Sequence, residues 1–343
     1  MSHSNFYKDI LHFGGFAATG GSALRDFFYE YEEIFLFPAE FRLLKEKDGI
    51  LDLENSIFNS MSPDNIDLSI KDFIILCKNL GRINNKFNRR GFNYDYFTDN
   101  QFSILIDEFI KEITDYIYFQ NTHNLDFRKN YFSSQYERYA KKFLPYALFE
   151  QKSYMSYPSH EKFVCAVKKL LRAIFENACK KERKECKVIA LHNSINHFNH
   201  FSIKNSRKYF DNFKMILVDR DPRDIFLDLP QNKYLPKNND QYLRAKCFVK
   251  FFLSLRTNLT KIKEYENCHF INFEDLILNT QKIKTQIDKF LNLEKDNKLK
   301  NKFFLPERSI KNIKKYKKID EKYYVAIKYI EDNLTDYLYK FKS

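Results

Sequence analysis

Four of the seven glycines in this 343-residue chain, Gly14, Gly15, Gly20 and Gly21, fall within eight consecutive positions. They belong to Asp9–Leu24, D-I-L-H-F-G-G-F-A-A-T-G-G-S-A-L, which runs into the apolar, aromatic segment Arg25-Asp26-Phe27-Phe28-Tyr29. That order predicts a strand, a turn and a helix, because the turn needs backbone angles and close approaches that glycine takes at least cost. The N–H groups of Gly20, Gly21, Ser22 and Ala23 then point out of the helix N-terminus. The macrodipole adds partial positive charge there and makes a seat for a phosphate or sulfate. The other reading is a tight turn with no ligand. The stretch lacks G-x-x-x-x-G-K-[ST], so no Walker lysine reaches a β/γ-phosphate and an ordinary ATP or GTP hydrolase is disfavoured. It lacks G-x-G-x-x-G as well, which weakens a dinucleotide reading.

Ile34-Phe35-Leu36-Phe37-Pro38 predicts a second buried strand. Glu40 follows just beyond its C-terminal end, where ligands gather in open α/β sheets. It is a candidate general base, or else a surface glutamate paired with Arg42 or Lys45. From about 52 to 152 the chain changes character. Helical periodicity in Leu68–Leu80 and Phe102–Tyr118, separated by the polar stretch Gly81–Asp99, predicts a largely helical insertion. Its Arg89-Arg90 pair and its tyrosines Tyr94, Tyr96 and Tyr118 suit an acceptor groove for sugars and acidic groups. An aromatic helical core with a solvated loop is the plainer alternative.

A helix over about His160–Lys180 leads to the charge run Lys180–Lys187, an exposed connection. Val188–Leu191 reads as a buried strand ending at His192. The spacing of His192, His197 and His200 matches no zinc pattern, so no metal is expected; His192 stands out because it falls on the presumed ligand side. Phe213–Val218 is the clearest strand, and it delivers Asp219-Arg220-Asp221-Pro222-Arg223-Asp224 to the same sheet edge. Two arginines beside a proline turn call for anionic partners. Arg220 toward a phosphate and Arg223 toward a structural carboxylate is the natural division, with a solvated turn as the alternative. Helices over about 239–265 and 281–291 flank the strand His269–Phe273, which ends in Glu274-Asp275-Leu276. The alternation predicts a single α/β domain over 1–343 with a central parallel sheet. Near the end, F-F-L-P-E-R-S-I-K-N-I-K-K-Y-K-K (Phe303–Lys318) is basic and carries hydroxyl and amide groups suited to folding over a nucleotide phosphate.

The net charge of +13 favours anionic partners such as nucleotides, acidic glycans, nucleic acid or an anionic membrane face. Nucleic acid is disfavoured, since no helix-turn-helix, zinc-finger or RNP-like pattern is visible. Six cysteines without a C-x-x-C, and no signal peptide, read as reduced thiols of a cytoplasmic protein. No apolar run approaches the roughly 20 residues that span a bilayer, so any membrane contact, at its inner face, is peripheral.

Together these segments resemble the sulfotransferase family, particularly its bacterial carbohydrate-type members. Gly15–Leu24 looks like the family's G-F-P-R-S-G-T-T-L-L loop, and P-A-E-F (Pro38–Phe41) resembles the segment bearing the catalytic glutamate. I-L-V-D-R-D-P-R-D (Ile216–Asp224) is similar to the v-x-R-[DN]-P-[RK]-D signature, and I-N-F-E-D-L (Ile271–Leu276) to the Y-E-D-L segment. S-I-K-N-I-K-K-Y-K (Ser309–Lys317) resembles the S-x-x-N-x-G-x-W-K loop that closes over the donor. The likeness covers both ends of the chain and leaves the insertion unmatched. Three departures stand out. Ala18 replaces the basic residue of the phosphosulfate loop, Asp228 replaces a serine that holds a 3′-phosphate, and Lys314 and Tyr316 replace glycine and tryptophan.

The resemblance implies a three-layer, P-loop NTPase-like α/β sandwich and sulfuryl transfer from 3′-phosphoadenosine 5′-phosphosulfate to a carbohydrate or lipid-linked glycan hydroxyl. Glu40 is then the base, with His192 the second candidate. Backbone N–H groups of Thr19, Gly20, Gly21, Ser22 and Ala23, with the Ser22 hydroxyl, hold the donor's 5′ end. Arg220, Ser309, Lys311 and Asn312 hold its 3′ end, with Asp228 among them. A transferase of the same fold with another nucleotide-activated group, and a non-catalytic acidic-glycan-binding protein, are the alternatives.

Overall fold

The computed structural model describes residues 8–60, 62–84, 91–120, 151–183, 185–229, 234–235, 240–294 and 299–341. They form two compact units, one spanning Leu43–Ala178 and the other combining Met1–Arg42 with Cys179–Ser343. The strands in chain order are β1 (Asp9–Gly15), β2 (Ile34–Leu36), β3 (Tyr116–Gln120), β4 (Gln151–Met155), β5 (Val188–His192), β6 (Phe213–Asp219) and β7 (Cys268–Asn272).

The combined unit is α/β, built on a five-stranded sheet of order β2-β5-β1-β6-β7. Every pairing in it is parallel. With β1 at the centre, the segments that follow β1, β5 and β6 emerge side by side at one edge. Register fixes this closely: Phe13 pairs with His192 on one side and Ile216 on the other, and Gly15 pairs with Val218. The apolar runs are continuous because parallel strands are covered on both faces. Leu11, Phe13, Ile216 and Val218 form one core with Leu24, Phe27 and Phe28 of helix α1 (Gly21–Phe28). Leu276, Ile283 and Ile287 from the helices Phe273–Leu278 and Thr280–Leu291 join it. A second core joins the helices Pro222–Asp228, Gln241–Ser254 and Tyr324–Asn333 through Phe226, Phe248 and Ile330.

The turn from β1 to α1 has a physical reason at each step. Thr19 is buried and its Oγ1 accepts the Phe16 N–H at 2.9 Å, which folds the loop back on itself. A Cβ at Gly15 would lie 2.1 Å from that oxygen. Ala17 and Ala18 sit at φ 66° and 55°, a left-handed pair that costs an L-residue roughly 1–2 kcal/mol each. Gly20 caps the helix at φ 106° and ψ 16°.

The Leu43–Ala178 unit carries the helices Ile50–Asn55, Pro63–Gly81, Tyr94–Phe97 and Phe102–Ile113 and most of His160–Lys181, with an antiparallel β3–β4 pair. Its buried Asp67 accepts the Tyr154 N–H at 2.9 Å and pairs with Lys71 at 2.6 Å, fixing β4 to the Pro63–Gly81 helix. Three expectations need correction. The helix expected over Phe102–Tyr118 stops at Ile113, and Tyr116-Ile117-Tyr118 is strand, in keeping with the aromatic and β-branched content of Y-I-Y-F. The helix expected over 239–265 breaks after Ser254 and resumes at Leu259. Phe273 opens a helix instead of closing β7.

Gly20 is therefore a folding residue. A Cβ there would meet Phe273 Cδ2 at 2.4 Å. Gly20→Ala is expected to destabilise the protein by about 2–4 kcal/mol, from left-handed strain plus overpacking, and a denaturant titration matching the parent would contradict this.

Candidate active site

Helix α1 makes its first internal bond from Leu24 N–H to Gly20 C=O at 3.1 Å. The N–H groups of Gly21, Ser22 and Ala23 thus have no acceptor within the helix and face the sheet edge. No acidic residue occupies the first turn. The loop glycines differ in their reasons. A Cβ at Gly14, Gly15 or Gly20 would collide with Asn193, Thr19 or Phe273 respectively, whereas one at Gly21 would stand 3.5 Å from Nε2 of His192 and 4.0 Å from Gly15 N, in ordinary contact. The fold does not demand a glycine at 21; it leaves a space there one methyl would take up, against exposed N–H donors.

His192 lies next to this space, and Glu40 lies on the far side of the imidazole. Phe37 N–H to Ala190 C=O (3.0 Å) and Phe41 N–H to His192 C=O (3.1 Å) hold the segment after β2 against the end of β5. Glu40 Oε1 accepts from Asn193 Nδ2 at 3.1 Å and lies 3.9 Å from His192 Nδ1. Its Oε2 pairs with Arg42 at 2.5 Å, so the pairing with Arg42 considered from sequence is present as well. His192 stacks on Phe13 with ring centroids 5.0 Å apart. One edge of the imidazole faces Glu40 and the other faces Gly21.

At the far side of the loop, Arg220 is buried. Its guanidinium donates to the Ala18 carbonyl at 3.2 Å and the Asn312 carbonyl at 2.5 Å, and pairs with Asp228 at 2.7 Å. Asp228 also takes Lys315. Asp228 therefore supplies Arg220 with a counter-ion. Arg223 is structural, as expected, pairing with Asp221 at 2.7 Å and Glu331 at 2.8 Å and lying 3.6 Å from the Tyr316 ring. Asp224 receives the N–H groups of Lys314 and Tyr316, which hold the C-terminal loop in place. Lys311 is exposed; among the described residues neither it nor Ser309 makes a side-chain hydrogen bond to Arg220 or Asp228. A cavity of about 810 Å³ opens beside Arg220, lined by Asn272, Asp275, Lys314 and Tyr339 among others.

Buried supports escape a reading by motif. His197 Nε2 bonds the Gly15 carbonyl at 3.1 Å, its Nδ1 bonds His12 Nε2 at 3.1 Å, and His12 Nδ1 bonds Ser194 Oγ at 2.9 Å. A carbonyl only accepts, so with neutral rings the direction is fixed: Ser194 donates to His12, His12 to His197, and His197 to Gly15. Arg256 pairs with Asp219 at 2.5 Å and lies between the rings of Phe16 and Phe252, at 4.8 and 3.4 Å. A histidine within an apolar strand was a legible sign for His12; Arg256 carried none. His200 goes elsewhere, bonding Tyr265 OH at 2.9 Å. Among the described residues no group of three or more His, Cys, Asp or Glu could hold a metal ion. Of the expected acceptor groove, Arg89-Arg90 lies outside the described residues. Tyr94 is fully buried against Phe102, so it is core and lines no groove.

No family model and no curated protein matches the chain. Among solved structures, it is similar to the sulfotransferase domain of a Synechococcus olefin synthase, at 12% identity and a TM-score of 0.44, over 100% of this chain and 99% of that one. It is likewise similar to the sulfotransferase domain from the curacin biosynthetic pathway, at 13% identity and a TM-score of 0.44, over 98% and 99%. No helix among the described residues is long and apolar enough to cross a membrane.

Glu274, fully buried, accepts the Asp221 N–H at 2.9 Å and so braces the turn that carries Arg220. Burial pushes its carboxyl from 4.5 up to about 7, against the backbone hydrogen bond, which lowers it. The folded state therefore holds this proton more tightly than the unfolded chain. Its contribution to stability is full below pH 4.5, declines as pH rises to about 7, and beyond that leaves a penalty of about 3 kcal/mol. Glu274→Gln should flatten the stability profile over that interval and raise the melting temperature at pH 8; parallel profiles for parent and variant would contradict it.

Proposed function

We propose that this chain is a sulfotransferase that moves a sulfuryl group from 3′-phosphoadenosine 5′-phosphosulfate to a hydroxyl of a carbohydrate acceptor, in a surface glycan or its lipid-linked precursor. The observation that carries the reading is the juxtaposition at Gly21: an open helix N-terminus with His192 directly beside it and Glu40 against the far edge of that imidazole. The space at Gly21 and the N–H groups of Gly21, Ser22 and Ala23 fit the anionic 5′ end of the donor. With Ala18 in place of a basic residue, those N–H groups and the helix dipole meet the charge that grows on the leaving phosphate. Sulfuryl transfer, like phosphoryl transfer, asks the protein chiefly for in-line positioning and charge stabilisation. The acceptor hydroxyl attacks sulfur, the bond from sulfur to the bridging oxygen breaks, and the hydroxyl proton passes to Glu40. Asn193 and Arg42 orient that carboxylate.

A second reading is favoured by one specific contact, the Asp228–Arg220 pair. A 3′-phosphate must compete with Asp228 for the guanidinium, which suits a transferase whose nucleotide donor lacks that phosphate. Arg220, Lys315 and the cavity beside them would serve either donor.

Two experiments follow. Glu40→Gln is expected to lower kcat by roughly 10²–10⁴ with nucleotide affinity nearly unchanged; if His192→Ala loses turnover while Glu40→Gln keeps it, the two roles are exchanged. By calorimetry, the parent should prefer adenosine 3′,5′-bisphosphate over ADP. Arg220→Ala should remove that preference, a loss on the order of 1.5–3 kcal/mol for a charge-assisted contact. A parent with no preference, together with an Asp228→Ser variant that gains one, would transfer the assignment to the second donor class.

A further inference from the structure

Two thiols that lie seven residues apart in sequence are brought together by the fold. Cys179 lies in the last turn of the helix His160–Lys181 and Cys186 just before β5, with their Sγ atoms 3.9 Å apart. Cys179 is buried and Cys186 is partly exposed. The Lys8 ammonium lies 3.4 Å from the Cys186 sulfur.

We propose that Cys179 and Cys186 form a thiol-exchange site, in which Cys186 attacks a small-molecule disulfide and Cys179 resolves the product into an internal disulfide. The division of labour follows from position. The thiolate is the nucleophile in exchange, and a neighbouring ammonium favours it. Cys186 has that neighbour and is open to solvent; Cys179 is shielded from an external disulfide yet touches the sulfur that would carry the adduct. Other cysteines contrast with this pair. Burial pushes the Cys268 thiol up to about 12 and the Cys77 thiol well up, so both stay protonated and inert.

With oxidised glutathione the chemistry balances. The Cys186 thiolate attacks one glutathione sulfur, the glutathione S–S bond breaks, and one glutathione thiolate leaves. Cys179 gives its proton to solvent and attacks Sγ of Cys186. The Cys179–Cys186 bond forms as the second glutathione leaves. Two protein thiols are oxidised and one disulfide is reduced to two thiols, a two-electron exchange. The sulfurs must close from contact to the roughly 2.05 Å of a disulfide, a movement of about one bond length. The bond would brace the start of β5, the strand that ends at His192.

The test is to incubate the full chain with oxidised glutathione, alkylate with iodoacetamide, and map tryptic peptides by mass. Trypsin separates the two cysteines at the lysines and arginine between them, so the disulfide appears as a linked peptide pair. The parent is expected to give the Cys179–Cys186 pair. Cys179→Ser should retain glutathione on Cys186, Cys186→Ser should give neither adduct nor pair, and Lys8→Gln should slow the reaction roughly 3–10-fold. A parent in which both cysteines remain alkylatable, or a Cys179→Ser variant carrying no glutathione on Cys186 at the parent's melting temperature, would overturn the proposal. Activity is not needed as a readout, so the result stands apart from the assignment of the reaction.

Discussion

A buried guanidinium must be answered by charge and by hydrogen-bond acceptors, and Arg220 is answered from three stretches of chain at once, two of them distant in sequence. Ala18 belongs to the glycine loop, Asp228 to the end of the helix Pro222–Asp228, and Asn312 to the C-terminal loop. The ring of Phe273, 5.0 Å from the guanidinium, adds the first residue of the helix Phe273–Leu278, and that same ring is what forbids a side chain at Gly20. The left-handed backbone at Ala17 and Ala18 is held in part by this contact, since the Ala18 carbonyl can meet Arg220 only if the loop turns as it does. Strain at a loop of this kind persists where surrounding structure over-determines it.

On the other side of β1 the loop is held by a different device. The chain from Ser194 through His12 to His197 is buried, its last bond reaches the partly buried Gly15 carbonyl, and it ties the segment after β5 to the start of the loop. The same segment carries Asn193, whose amide reaches Glu40. The group that holds Glu40 and the one that begins the chain to the Gly15 carbonyl are thus neighbours in sequence, Asn193 and Ser194, facing different partners. Together with the Arg256–Asp219 pair beneath Phe16, they tie down the strand ends around Gly21.

The strands of the central sheet were legible because parallel strands covered on both faces read as unbroken apolar runs, as in Val188–Leu191 and Phe213–Val218. The strand-turn-helix at Gly15–Gly21 was legible for a second reason, the steric demand of the turn. What the sequence could not carry was pairing at long range. Asp228 could be placed on the face of Asp221 and Asp224 by helical period, but whether it points away, pairs with a loop lysine or faces a ligand depends on Lys315, 87 residues away in sequence. Tyr94 misled because an aromatic residue near arginines has the same composition whether it lines a groove or fills a core. The break before Leu259 had no local signal; the buried Arg256 that accompanies it is answered by Asp219, 37 residues away in sequence.

The account depends on the helix end at Gly21 being the place where an anion sits. Gly21→Ala tests this with little interference from folding, since the position is helical and a methyl group meets no atom closer than 3.5 Å. The measurement is calorimetric affinity for adenosine 3′,5′-bisphosphate in parent and variant, with melting temperatures taken alongside. The account predicts an unchanged melting temperature and an affinity lower by about tenfold or more, a difference of about 1.4 kcal/mol. Equal affinity in the two proteins would contradict it.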